Sequence, residues 1–333
     1  MKVELVRKSG EVGVDFSLHI FASPGYLSCC SADFGWLVSA DFALPFYVDR
    51  ILFFRRLIFT SAPLAKRADA DLGVENGKIF LDAAVALVKA LRLCDFITKP
   101  QSNAVFEVAP QESVSCPWGT FETRIDLADE ELLKTFHAKH RNVINKAIRD
   151  GVTVRLIEQL ETVHNNIRNT LLRQKLPYYP SLAFIQSLHQ RLPGQLLMMG
   201  AFCGEQLQGV ALVPFDKQRG YYLYGGSIEN PAGGALNLLQ YEIMRKLRDD
   251  GVIHYDFVGA RIDVEGGSKY EGIQRFKSRF GATLTEGYAF RVVFSPYKFI
   301  VFQLMIRLYF VLKGWKKYMD PIDQLGSRLH EKK

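Results

Sequence analysis

Residues 196–258 constrain the fold of this chain more than any other stretch. Three short apolar segments, 196–203, 207–214 and 221–226, follow one another with turn residues between them, which predicts an antiparallel meander. Asn230, Pro231, Ala232, Gly233 and Gly234 then break the pattern, and a helix begins whose Leu236, Leu239, Ile243 and Leu247 share one face. Asp250 and Gly251 end that helix, and 252–258 reads as a strand running into the loop 259–267. A meander followed by helix and strand predicts an α+β chain with one βαβ crossover near residue 240.

Upstream, residues 130–150 read as one long helix. Leu132, Phe136, His140, Val143 and Ala147 recur at steps of three or four, while Lys134, Arg141, Asn142, Lys146 and Arg149 take the remaining arc. Asp129 and Glu130 suit the positive end of its dipole, and Gly151 suits its stop. A strand over 152–157 and helices over 163–174 and 181–191 follow. Earlier in the chain, 51–59 reads as a strand interrupted by Arg55 and Arg56, 81–93 as a helix and 104–108 as a strand. Pro110 and the run Pro117, Trp118, Gly119 mark a transition between lobes. The expected organisation is a first lobe over 1–120, a second over 121–295 and a C-terminal helix and tail over 296–333.

With 48% hydrophobic and 23% charged residues, the chain can bury a sizeable core, which excludes wholesale disorder. A net charge of +7 is compatible with tRNA, phosphorylated substrates or an anionic membrane surface, and equally with a basic protein lacking such partners. Cys29, Cys30, Cys94, Cys116 and Cys203 form neither a CxxC pair nor a zinc-like spacing. No metal or bound cofactor is expected. Scattered thiols and a charged N-terminus without a hydrophobic signal core point to the cytoplasm.

The chemistry concentrates in 221–281. Phe276 and Phe280 lie four apart and share a helical face toward the core, with Lys277 turned off that face between Arg275 and Arg279. This is either a solvated basic face or a site for an anion or oxyanion. Tyr222 and Tyr224 alternate as on one strand face beside Gly225 and Gly226, as a channel lining or as two partly buried phenols. Asp256 closes the strand before Phe257, either as a loop cap or as a group that steers a proton.

His137, Lys139, His140, Arg141 and Asn142, then Tyr222, Tyr224, Gly225, Gly226 and Ser227, then Tyr255, Asp256 and Phe257, then Phe276, Lys277, Phe280 and Gly281 appear in an order that resembles the FemABX family. The resemblance covers residues 115–290 well and the first lobe loosely. It implies two GNAT-like lobes sharing a cleft and transfer of an amino acid from aminoacyl-tRNA, a co-substrate, to an amine of a peptidoglycan precursor or related cell-envelope acceptor. The family's catalytic lysine falls on Lys277 and its channel tyrosines on Tyr222 and Tyr224, with Phe276 beside them. Arg173 is the nearest candidate for a phosphate-binding arginine. The long coiled-coil insertion of some members is absent, no first-lobe lysine near 29–36 matches, and the family's Asp-Phe-Gly-Gly becomes Asp256, Phe257, Val258, Gly259.

On this reading Lys277 steadies the oxyanion of amide formation, Asp256 assists proton movement, and Arg141, Asn142 and Lys146 face tRNA phosphates or merely solvent. Two alternatives stay open. One is an N-acyltransferase taking its acyl group from acyl-CoA or an acyl carrier to modify an amino sugar of a surface polysaccharide, against which the unmatched loop 229–234 counts mildly. The other is a silent scaffold binding a membrane-linked glycan precursor. Residues 299–312 are nearly all apolar, and Lys313, Lys316 and Lys317 follow. The run is too short to span a bilayer. It is either a helix packed on the domain or, over 299–318, a peripheral contact with the inner leaflet.

Overall fold

Short apolar runs within residues 34–59 build a sheet, as the computed structural model shows. The structure describes residues 1–13, 16–66, 73–176, 178–264, 266–315 and 320–324. The chain forms two compact units, one of 1–119, 259–263 and 286–333, the other of 120–258 and 264–285.

In the first unit, β1 (Glu4–Val6), α1 (Ser9–Gly13), α2 (Pro24–Cys30), β2 (Phe34–Val38), β3 (Phe42–Ile51), β4 (Phe54–Phe59), β5 (Leu64–Ala65), α3 (Val74–Ala90) and β6 (Phe96–Ile97) lead to β7 (Val114–Arg124). Strands β1 to β4 pair antiparallel in sequence order. Strand β4 then pairs parallel with β6, Leu57 opposite Ile97. The segment β4–α3–β6 is therefore a βαβ crossover that the sequence reading missed. Helix α3 buries Phe80, Leu81, Ala84, Val85 and Val88 on one stripe, and Phe80 stacks on Phe42 at 5.1 Å between ring centroids.

Three expectations for this unit need correction. Residues 51–59 are not one strand: Leu52 takes a left-handed φ of 55°, and the chain turns there to bring Phe54 opposite Ile51. The helix expected over 81–93 starts earlier, at Val74, and ends at Ala90. Residues 104–108 form no strand; Phe106 makes only an isolated bridge to Tyr288.

The second unit contains α4 (Asp129–Thr135), α5 (Ala138–Arg149), β8 (Val152–Leu156), α6 (Leu160–Arg173), α7 (Leu182–Arg191), β9 (Leu196–Cys203), β10 (Gln206–Pro214), β11 (Arg219–Tyr221), β12 (Tyr224–Ser227), α8 (Ala235–Asp249) and β13 (His254–Asp256). After β14 (Ala260–Arg261) come α9 (Lys269–Ser278), β15 (Thr283–Val293), which leads back into the first unit, and α10 (Pro296–Leu312). Strands β8, β9, β10 and β12 make an antiparallel sheet. Strand β11 pairs parallel with β13 across α8, which is the crossover expected near residue 240.

The single helix expected over 130–150 is two helices. Phe136 is extended (φ −72°, ψ 146°), and the His137 side chain caps α5 by accepting from the N–H of Lys139. A ring that can cap a new helix start competes with continuing the old one. Strand 221–226 is also broken. Leu223 N–H donates to Tyr221 O at 2.7 Å, a tight turn that sends β11 to β13 and β12 to β10. Helix α6 crosses β12 at Gly226, where a Cβ would lie 2.5 Å from Asn166 Oδ1, so only glycine allows that approach.

Candidate active site

Helix α9 begins with a reciprocal cap. Ser268 Oγ accepts from the N–H of Glu271, and the Glu271 carboxylate accepts from the N–H of Gly267 at 2.6 Å. From that start the 3.6-residue period carries Phe276 and then Phe280, in the following turn, onto His140 of α5, with ring centroids 5.5 and 4.6 Å away. Phe280 is fully buried and also meets Phe136, at 5.1 Å, and Phe257, at 5.3 Å.

Lys277 is not part of a solvated face. Its residue is 8% exposed, while Arg275 beside it lies open to solvent. Its Nζ donates to Val258 O at 2.6 Å. Burial lowers its pKa to about 8, and the charge of Asp256 opposes that fall. A lysine so placed still carries its proton at neutral pH but holds it loosely.

The carbonyl it meets is presented by an unusual turn. Val258 has φ 52° and Gly259 φ 71°. A β-branched residue in the left-handed region costs about 1–2 kcal/mol, and such strain clusters at functional sites. Asp256 pins this turn: its Oδ1 accepts from Val258 N–H at 2.7 Å and from Thr120 Oγ1 at 2.5 Å. Asp256 is buried, and burial pushes its pKa up to about 6, against the pull of the Thr120 and Val258 hydrogen bonds and of Arg219. Arg219 forms an ion pair with Glu122, which also meets His254 Nδ1 at 3.1 Å. Asp256 thus caps a loop, as one reading had it, and its charge also acts on Lys277.

Tyr222 and Tyr224 do not share a strand face, because the chain breaks between them. Tyr222 N–H donates to Asp256 O at 2.8 Å. Its ring lies edge-on to Phe257 at 6.5 Å, and its hydroxyl pairs with Gln240, which also accepts from Tyr255 at 2.6 Å. A Cβ on Gly225 would collide with that hydroxyl at 1.8 Å, so this glycine makes room for Tyr222. Tyr224 opens β12, half-buried, opposite Leu212.

The remaining candidates lie apart from Lys277 in their contacts. Arg173 reaches Ser227 O at 3.0 Å from the end of α6. Arg141 donates to the carbonyls of Lys134 and Phe136, bracing the α4–α5 break. Lys146 forms an i,i+4 ion pair with Asp150, and Asn142 is exposed. Sequence reasoning gave no role to Val258 or Gln240. The substitution of Val258 for the family's first glycine was visible, but its left-handed backbone was not.

Residues 134–278 match the family model described as acetyltransferase (GNAT) domain. Over 77 residues the chain is 35% identical to the lipid II:glycine glycyltransferase of two Staphylococcus epidermidis strains, a match covering 23% of this chain. It spans about a fifth (18%) of the length of those curated relatives. Among solved structures, FemX aligns with a TM-score of 0.64 at 15% identity over 90% of this chain and 99% of that one. A tandem GNAT protein from the clavulanic acid biosynthesis pathway aligns at 0.50 and 12% identity, over 87% of this chain and 98% of that one. L-PGS from Bacillus licheniformis aligns at 0.51 and 12%, over 80% and 86%. The fold is thus a tandem GNAT-like α+β fold, and the second unit carries an acyltransferase-type domain. FemX shares that fold, and the order of this chain's motifs resembles the FemABX family.

Proposed function

We propose that this chain is an aminoacyltransferase that forms an amide between an amino acid delivered by aminoacyl-tRNA and an amine of a peptidoglycan precursor or related cell-envelope acceptor. The observation that carries the proposal is Lys277: a buried cation, aimed at a carbonyl oxygen and supported by a buried carboxylate. The glycyltransferase named for lipid II supports the acceptor class. The neutral amine attacks the ester carbonyl, a C–N bond forms and negative charge gathers on oxygen. The Lys277 ammonium, exchanging Val258 O for that oxyanion, stabilises it in a site from which water is largely excluded. Collapse breaks the C–O bond to the tRNA ribose, whose oxygen leaves and takes up a proton, and the ammonium of the new amide's nitrogen gives one up. Asp256 keeps Lys277 protonated and holds the Val258 turn. Tyr222, Tyr224 and Phe276 border the acyl group, Arg173 binds phosphate, and Arg141, Asn142 and Lys146 track the tRNA. The protein works at the inner face of the cytoplasmic membrane.

The GNAT domain match favours a second reading, with acyl-CoA as donor. The approach to α8 weighs against it. Gly234 is used for packing, since a Cβ there would lie 2.1 Å from Val143 O, and the N–H of Ala232 is already taken by Gln208 at 2.8 Å. Offering labelled aminoacyl-tRNAs and acyl-CoAs together with muramyl-peptide and amino-sugar acceptors separates the readings by product mass. The acceptor gains an aminoacyl mass from aminoacyl-tRNA alone. A product formed from acyl-CoA sinks the proposal, and no product from any donor leaves the silent scaffold.

A further inference from the structure

Helix α10 turns one side into the first unit and leaves the other bare. Phe302 and Phe310 are buried, Phe299 and Ile306 half-buried, and Phe302 meets Phe54 and Phe96 at 5.3 and 5.1 Å. On the other side, Tyr297, Val301, Met305 and Tyr309 form one row at steps of four, and Ile300, Leu304, Leu308 and Leu312 form the next. All eight are exposed, Leu304 and Leu308 at 58% each. Beside this helix stands the β3–β4 hairpin. Its tip carries Leu52, 72% exposed, and Phe53, 61% exposed, and the Phe53 ring lies tilted against the same Phe54 that packs on Phe302. A helix stripe and an apolar wedge therefore lie on neighbouring elements of one unit.

We propose that the outer face of α10 and the Leu52–Phe53 hairpin tip together dock this protein onto an anionic lipid surface. Charge selects that occupant over a second copy of the chain. Residues 296–319 contain Arg307, Lys313, Lys316 and Lys317, with Lys298 paired to Asp95 at 2.8 Å, and no acidic residue. A symmetric pairing of two such faces sets like charges together with no carboxylate in the stretch to receive them, whereas acidic headgroups complement them. Arg307 and Lys313 are exposed on the helix, and Arg50 is exposed at the hairpin. Lys316 and Lys317 lie outside the described residues. Tyr297, Tyr309 and Trp315 supply side chains suited to the boundary between acyl chains and headgroups. Among the described residues no helix is long and apolar enough to cross a membrane, so α10 lies along the surface. This inference rests on the first unit and is independent of the role of Lys277.

The test is co-sedimentation of the full chain with vesicles of phosphatidylglycerol and phosphatidylethanolamine, against vesicles of phosphatidylcholine. The wild type pellets with the anionic vesicles, and Trp315 fluorescence shifts to the blue. The double variant Leu304→Asp/Leu308→Asp loses binding, and Phe53→Asp weakens it. The double variant Arg307→Gln/Lys313→Gln weakens it about fivefold per charge. Because the substituted side chains are exposed, circular dichroism and thermal midpoint stay those of the wild type. Failure of folded wild type to bind anionic vesicles overturns the proposal. So does undiminished binding by the variants, or a wild-type dimer in sedimentation velocity that Leu304→Asp/Leu308→Asp dissolves.

Discussion

Lys277→Met lowers kcat by about a hundred- to a thousand-fold, the usual effect of removing one group that stabilises a developing oxyanion, and leaves KM nearly unchanged. An interaction made only in the transition state affects kcat and kcat/KM alike. The fold survives, because methionine fills the lysine's stem and removes a buried charge rather than creating one. Stability gives a second readout with a defined sign. The folded pKa of Lys277 is about 8, below the 10.5 of an ordinary exposed lysine. Between those two pH values the unfolded chain keeps the proton that the folded chain has lost, so wild-type stability rises with pH across that window, by about 3 kcal/mol in all. Below pH 8 both states are protonated and the contribution is flat. Urea unfolding of Lys277→Met across the same range lacks this rise.

Phe280→Ala removes about 3–5 kcal/mol of stability, the range for truncating a buried aromatic ring. Phe280 is fully buried against Phe136, His140, Phe257 and Phe276, and its carbonyl accepts from Thr123 Oγ1 at 3.1 Å. Domains are typically stable by about 5–15 kcal/mol, so this one substitution consumes a large share. Equilibrium urea unfolding measures it as a lower midpoint with an unchanged slope. Activity falls with it even where the variant remains folded, because Phe280 anchors the end of α9 from which Lys277 reaches inward. A midpoint within about 1 kcal/mol of wild type would show that the aromatic cluster does not hold α9, since a loss that small is unusual for a ring in a packed core.

The second unit was more legible in the sequence than the first. The first two strands of the meander, α8 and the crossover to β13 follow strong periodicities and glycine stops and formed close to where the residues placed them, while the third strand broke at Leu223. The parallel partner of β4 was hidden because β6 is only the pair Phe96–Ile97, too short for any period to register. The breaks at His137 and Leu223 were hidden for another reason. Both residues sit inside runs whose apolar spacing continues unbroken, and the local cap and turn there are fixed by tertiary hydrogen bonds, His137 N–H to Arg279 O and Tyr222 N–H to Asp256 O. At the site, order and spacing singled out Lys277, yet periodicity on α9 gave it an outward or edge position. Its inward course depends on Val258 O, whose presentation needs a left-handed valine that no one-dimensional pattern announces. Lys316 and Lys317, counted with the C-terminal basic cluster, lie outside the described residues.

Amide formation by this protein depends on a protonated Lys277 sustained by Asp256. The most direct test is the single-turnover rate of amino acid transfer from aminoacyl-tRNA to the amine acceptor, measured against pH for wild type and Asp256→Asn. Asparagine keeps the acceptor oxygen for Thr120 and Val258 while removing the charge that raises the pKa of Lys277. The wild-type rate falls as pH rises through about 8, and in Asp256→Asn the fall moves to lower pH. A rate that holds or climbs through that range in both proteins, with the two profiles superimposable, contradicts the account.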